Sequence, residues 1–112
     1  MNHTLIFAEK DHHNFDEVKI GTKSIETRAG APKYQIVVVG DTLTFVCGED
    51  KLTKTVEKVY RWKSVDEMVK EIPFKKIMPS NEKDKEMKKV YSNYRKEKEK
   101  IKEFGIIGFE LK

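Results

Sequence analysis

Gly21-Thr22-Lys23-Ser24-Ile25-Glu26-Thr27-Arg28 is the stretch on which the reading of this chain turns. Just before it, Phe15 and Val18 stand three apart in Phe15-Asp16-Glu17-Val18-Lys19-Ile20, with the acidic residues placed early. That pattern predicts a short helix, N-capped within Asp11-His12-His13-Asn14 and stopped by Gly21 as its C′ residue. From Lys23 to Arg28 the chain reads as a strand. Strand geometry turns Ile25 one way and lines Ser24, Glu26 and Arg28 along the other. Lys23 belongs to the turn after Gly21 and is free to swing toward the same side. A helix end thus leads into a strand that presents three charged side chains and a hydroxyl together.

Working outward, Thr4–Ala8 reads as a first strand, and Ala29-Gly30-Ala31-Pro32-Lys33 as a loop. Tyr34–Val39 reads as extended, closed by Gly40-Asp41, and Thr42–Cys47 is a further strand. Leu52–Trp62 makes a long strand in which Leu52, Lys54 and Val56 share one parity and Val59 falls on the other. The phase change predicts a bulge, as a curved sheet requires. Ser64-Val65-Asp66-Glu67 is a capping box opening a short helix through Glu71. Ile72–Pro79 reads as a packed irregular segment. From Asn81 onward, Met87, Val90, Tyr91, Tyr94 and Ile101 follow helical spacing to Gly105, and Ile106–Leu111 is the last strand. The order β-α-β-β-β-α-α-β predicts one α+β domain spanning residues 1–112, a small β-barrel of five to six mostly antiparallel strands with flanking helices.

Bulk properties limit the function classes. A chain of 112 residues fits one core. Cys47 is the only cysteine, which excludes an intrachain disulfide and a cysteine-based zinc site; its phase with Leu43 and Phe45 predicts burial. No apolar run reaches bilayer length and the first residues lack a basic signal region, so a soluble cytoplasmic protein with no membrane partner is expected. The net charge of +4 permits a polyanionic partner, but only three of the 23 basic residues are arginine (Arg28, Arg61 and Arg95). Lysine is the ordinary surface cation, so the charge by itself identifies no nucleic-acid face.

Other constellations yield to plainer explanations. Residues 82–103 carry nine Lys/Arg against six Asp/Glu, interleaved as a solvated helix face would carry them. The Tyr91/Tyr94 stripe fits core packing better than a base-stacking platform, although Tyr94 remains a candidate ligand contact. His12-His13 diverge in any regular structure, and no metal site is expected. Phosphate-loop, nucleophile-elbow and His-Glu-x-x-His motifs are absent, and no cofactor is implied. What stands out is the polar strand. There Arg28 is suited to a phosphate or base edge, Glu26 to an exocyclic amine, and a desolvated Lys23 to base or nucleophile chemistry. A simple Glu26–Arg28 pair on an exposed sheet face is the competing explanation.

Phe15, Val18, Gly21, Lys23, Ile25, Glu26 and Arg28, followed by Gly40-Asp41, Phe45 and Phe104-Gly105-Ile106, resemble the pattern of the ASCH domain family of the PUA-like superfamily. Tyr60, Ser64, Ile72, Lys76-Ile77, Pro79 and Tyr94 are similar to a small prokaryotic subgroup, so the likeness runs over nearly the whole chain. The resemblance implies a PUA-like barrel with a cleft beside the Gly-x-Lys-x-Ile-Glu-x-Arg strand. It also implies RNA, single-stranded nucleic acid or a nucleoside/nucleotide as ligand, held by Lys23, Ser24, Glu26, Arg28 and Tyr94. A monomer is expected. Some members of similar size are amidohydrolases that deacetylate N4-acetylcytidine. They use a Lys at the position of Lys23, a Thr where this chain has Glu26, and a helical Glu for which Glu82 and Glu86 are the nearby candidates. Lys23 and Glu26 are therefore the catalytic residues of the alternative, enzymatic reading.

Overall fold

The computed structural model describes residues 1–77 and 95–112. Tyr91, Tyr94 and the candidates Glu82 and Glu86 lie outside the described residues. Five strands are described: β1 (Asn2–Phe7), β2 (Ile25–Ala29), β3 (Thr42–Cys47), β4 (Asp50–Trp62) and β5 (Ile106–Leu111). With them come the helices α1 (His12–Ile20), α2 (Pro32–Gln35), α3 (Val65–Glu71) and α4 (Arg95–Phe104), and short 3-10 turns at Glu9–Asp11 and Phe74–Lys76.

The strands form one curled sheet in the order β1-β3-β4-β5-β2, a half-barrel in an α+β fold. Every pairing is antiparallel except β1 with β3, which run parallel from Asn2↔Thr42 to Phe7↔Cys47. The curl originates in β4. Its first half pairs with β3 and its second half with β5, and the register shifts between Val56 and Lys58. The extra residue turns Val56 and Val59 to the same side, where both join one core. This is the bulge that the phase of the apolar residues predicted.

Two apolar clusters cover the two faces. On the concave side Leu5, Phe7, Leu43, Phe45, Ile107 and Phe109 meet Phe15 and Val18 of α1. Phe7 stacks on Phe45 with ring centroids 5.8 Å apart and meets Phe15 edge-on at 6.3 Å. Cys47 is buried in the same cluster, in phase with Leu43 and Phe45 as expected. On the convex side Ile25, Trp62 and Ile106 are covered by Met68 of α3 and by Ile72 and Ile77, so the segment after α3 is indeed packed. Ser64 opens α3 by accepting the Glu67 N–H, while Glu67 Oε2 accepts from Lys63 N–H.

One expected element is corrected. Tyr34–Val39 is not extended: α2 occupies Pro32–Gln35 and a loop follows. Pro32 presets the first helical φ. Both places beside β3, the strand that this segment leads into, are already taken by β1 and β4. Val37 alone of the apolar run Ile36–Val39 is buried; Ile36, Val38 and Val39 are exposed.

Asp41 fastens the end of that loop. Its carboxylate is hydrogen-bonded to His3 Nε2 at 2.9 Å and accepts the Val38 N–H at 3.2 Å. These bonds, His3 foremost, pull the carboxyl from 3.8 down to about 2. Because the folded value lies below the unfolded one, the stabilisation is complete above pH ~4 and is lost as pH falls toward 2. Urea unfolding between pH 2 and 6 should show this acid limb, and Asp41→Asn should flatten it.

Candidate functional site

The end of α1 sets the position of the candidate site. Gly21 adopts φ 98°, and the N–H groups of Gly21 and Lys23 both donate to the Glu17 carbonyl. The backbone is thereby folded back on the helix end before β2 begins. Ser24 enters through its main chain: its N–H donates to Lys76 O and its carbonyl accepts from Leu111 N–H. β2 then pairs with β5, placing Glu26 opposite Phe109 and Arg28 opposite Ile107. Residues directly opposite share a face, so Glu26 and Arg28 point to the concave side while Ile25 joins the convex core. The alternation expected from the sequence is realised for Ile25, Glu26 and Arg28; β2 starts at Ile25 rather than Lys23, so Ser24 lies ahead of it.

Lys23, Glu26 and Arg28 come together. Lys23 Nζ stands 3.8 Å from Glu26 Oε2, with the two side chains 5% and 4% exposed. Arg28 Nε stands 3.7 Å from Glu26 Oε1 and its side chain is 21% exposed. The Arg28 guanidinium carbon lies 5.1 Å from the centroid of the Phe7 ring, a cation–π contact that holds it over the core. Glu26 Oε1 also accepts the Thr27 N–H at 3.1 Å. Glu26 Oε2 has no hydrogen-bond partner, although it is buried. An exposed Glu26–Arg28 surface pair, the plainer explanation, does not describe this arrangement. The carboxylate is buried between two cations, and neither comes within hydrogen-bonding distance of it.

Two positive groups around one negative group leave a local charge of +1 in a largely water-free place. Such a cluster attracts an anion or a polar ligand edge, and it carries one acceptor that the protein itself leaves unused. Buried acceptors of native proteins are nearly always paired, which makes Glu26 Oε2 the most unusual atom of the described residues.

A groove away from these three residues was not foreseen. It has a volume of about 580 Å³ and is lined among others by Gln35, Arg61, Lys63, Lys102 and Phe104. Gln35 holds Arg61 there, accepting from Nε at 2.9 Å, and donates through Nε2 to the Gly30 carbonyl. Arg61 faces Ile107 across β4 and β5, in the same cross-strand row as Arg28. The arginine count contained this signal. Its link to Arg28 depended on a register that no local pattern reveals.

The His12 ring is bonded to Asp16 and to Asp50, both at 3.0 Å, tying α1 to the start of β4. Among the described residues no group of three or more His, Cys, Asp or Glu side chains is arranged to hold a metal. Among the same residues no helix is long and apolar enough to cross a membrane.

No family model matches the sequence, and no curated protein matches it. Solved structures do resemble it. The crystal structure of the hypothetical protein PH0355 has a TM-score of 0.84 and 24% identity, over 100% of this chain and 98% of that one. The solution NMR structure of protein PF0455 from Pyrococcus furiosus has a TM-score of 0.75 and 24% identity, over 100% and 96% of the two chains. At this identity the likeness establishes the fold.

Proposed function

We propose that the protein is an ASCH-type domain that binds RNA, single-stranded nucleic acid or a nucleoside/nucleotide at the Lys23–Glu26–Arg28 cluster, acting as a cytoplasmic monomer. The observation that carries this reading is the unpartnered buried Glu26 Oε2 between two cations. A base supplies N–H groups for the carboxylate and carbonyl oxygens for the cations, and a phosphate suits Arg28. The net charge of +4 assists the approach of a polyanion without specifying it.

Titration of short single-stranded RNA against wild type and Arg28→Ala tests the reading. Loss of the arginine should weaken binding about tenfold at physiological salt. Equal, weak binding by both proteins, fading in parallel as salt rises, would leave only generic lysine attraction.

The buried Lys23–Glu26 pair also favours a second reading, hydrolysis of an acylated nucleoside such as N4-acetylcytidine, with Lys23 as base or nucleophile and Glu26 as proton carrier. Release of cytidine above the rate of a Lys23→Ala control is the required result.

A further inference from the structure

We infer that the cluster recognises the imide edge of a uracil-type base, an inference that rests on the nucleic-acid reading of the same site. Lys23 and Arg28 lie on either side of Glu26, at 3.8 Å from its Oε2 and 3.7 Å from its Oε1. Ammonium and guanidinium groups only donate, and an ionised carboxylate only accepts. The side chains therefore present donor, acceptor, donor in that order. Of the two carboxylate oxygens, Oε1 is occupied by the Thr27 N–H and Oε2 is unpartnered. The site thus requests one N–H from its ligand, flanked by two acceptors.

Among the base edges used in single-strand recognition, this complement is specific. Uracil offers O2, N3–H and O4, an acceptor–donor–acceptor series that meets all three groups. Guanine offers O6, N1–H and a 2-amino group, which sets a donor against a donor. Cytosine brings the 4-amino group, N3 and O2, placing an acceptor where the Glu26 carboxylate also accepts. Adenine has no acceptor beyond N1 on that edge. Mismatched edges leave a buried charge facing a like partner, which discriminates more strongly than any gain of contact.

The separations favour such a bridge. At 3.7 and 3.8 Å the two cations are outside hydrogen-bonding distance of the carboxylate, so a ligand edge displaces no internal hydrogen bond. Arg28, the most exposed of the three, is the side that a ligand would meet first. Its guanidinium already lies over Phe7, which restrains its orientation.

The nucleoside titrations use the unaltered protein and vary the ligand, because Glu26 is buried beside Lys23; RNA binding is compared between wild type and Arg28→Ala. Uridine, 3-methyluridine and cytidine are titrated separately, with chemical shifts of Lys23, Thr27 and Arg28 as the readout. Uridine should perturb these residues and bind about tenfold or more tightly than cytidine, and methylation at N3 should abolish the effect. Cytidine binding as well as uridine, or 3-methyluridine binding as well as uridine, overturns the edge assignment while leaving nucleoside binding in place. If none of the three perturbs the cluster but single-stranded RNA still binds in an Arg28-dependent manner, the base-edge inference falls alone. If RNA binding is also insensitive to Arg28, the underlying reading falls with it.

Discussion

Replacing Glu26 by leucine should destabilise the fold by about 3–5 kcal/mol, because it leaves the Lys23 ammonium buried with no counter-charge. Lys23 is only 5% exposed at its side chain, so water cannot take over the role of the carboxylate. Arg28 is less affected, since at 21% exposure it can turn outward. The companion experiment removes the stranded charge: Lys23→Met together with Glu26→Leu should recover most of the loss, as apolar replacement of a whole buried ion pair often does. Urea unfolding of the wild type, the single and the double variants measures both effects. A single-variant loss below about 1 kcal/mol would show a cluster as well hydrated as a surface ion pair.

The second large effect is expected at Gly105, where α4 gives way to β5. Its φ of 76° lies in the left-handed region, and a Cβ there would stand 2.5 Å from the Trp62 carbonyl oxygen and 3.6 Å from Lys63 Cα. The obstructing atoms are main chain and cannot move aside. Gly105 N–H donates to Ile101 O and its carbonyl accepts from Gly30 N–H, so the glycine cannot shift either. Gly105→Ala combines about 1–2 kcal/mol of left-handed strain with about 1–3 kcal/mol of overpacking. A fall in Tm on the order of 10 °C or more should result. Gly21→Ala provides the control, since Gly21 has φ 98° but open space around its would-be Cβ. The difference between the two variants isolates the clash with Trp62.

Much of the architecture was legible locally. The parity change across Val56 and Val59 announced the bulge that curls the sheet, and Ser64 with Glu67 announced the start of α3. Gly21 and Gly105 marked helix ends that the structure places at positive φ. The polar face of β2 was readable because alternation in a strand depends only on neighbouring residues. Ile36–Val39 misled for the opposite reason. Its residues favour a strand, but a strand needs a free partner, and β3 is flanked by β1 from far upstream and by β4 through a tight turn. The depth of the Lys23–Glu26–Arg28 cluster was likewise invisible, because it depends on β5 arriving beside β2. Arg61 was counted but not placed, because pairing across β4 and β5 is what aligns it with Arg28.

The position of β2 at the end of the sheet order affects how the protein comes into being. β2 pairs with β5 alone, Ile25 with Glu110 and Ala29 with Ile106. A nascent chain that has already released Lys23, Glu26 and Arg28 from the ribosome still cannot bring them together. It must wait until residues 106–111 emerge and close the longest loop in the sheet. Contacts so distant along the chain form late and slowly. The charged trio therefore spends synthesis in water, where its members carry no desolvation cost, and is buried in the closing step. Burial of the trio then coincides with the pairing of β5 with β2, and a chain arrested before β5 would carry Lys23, Glu26 and Arg28 still open to water.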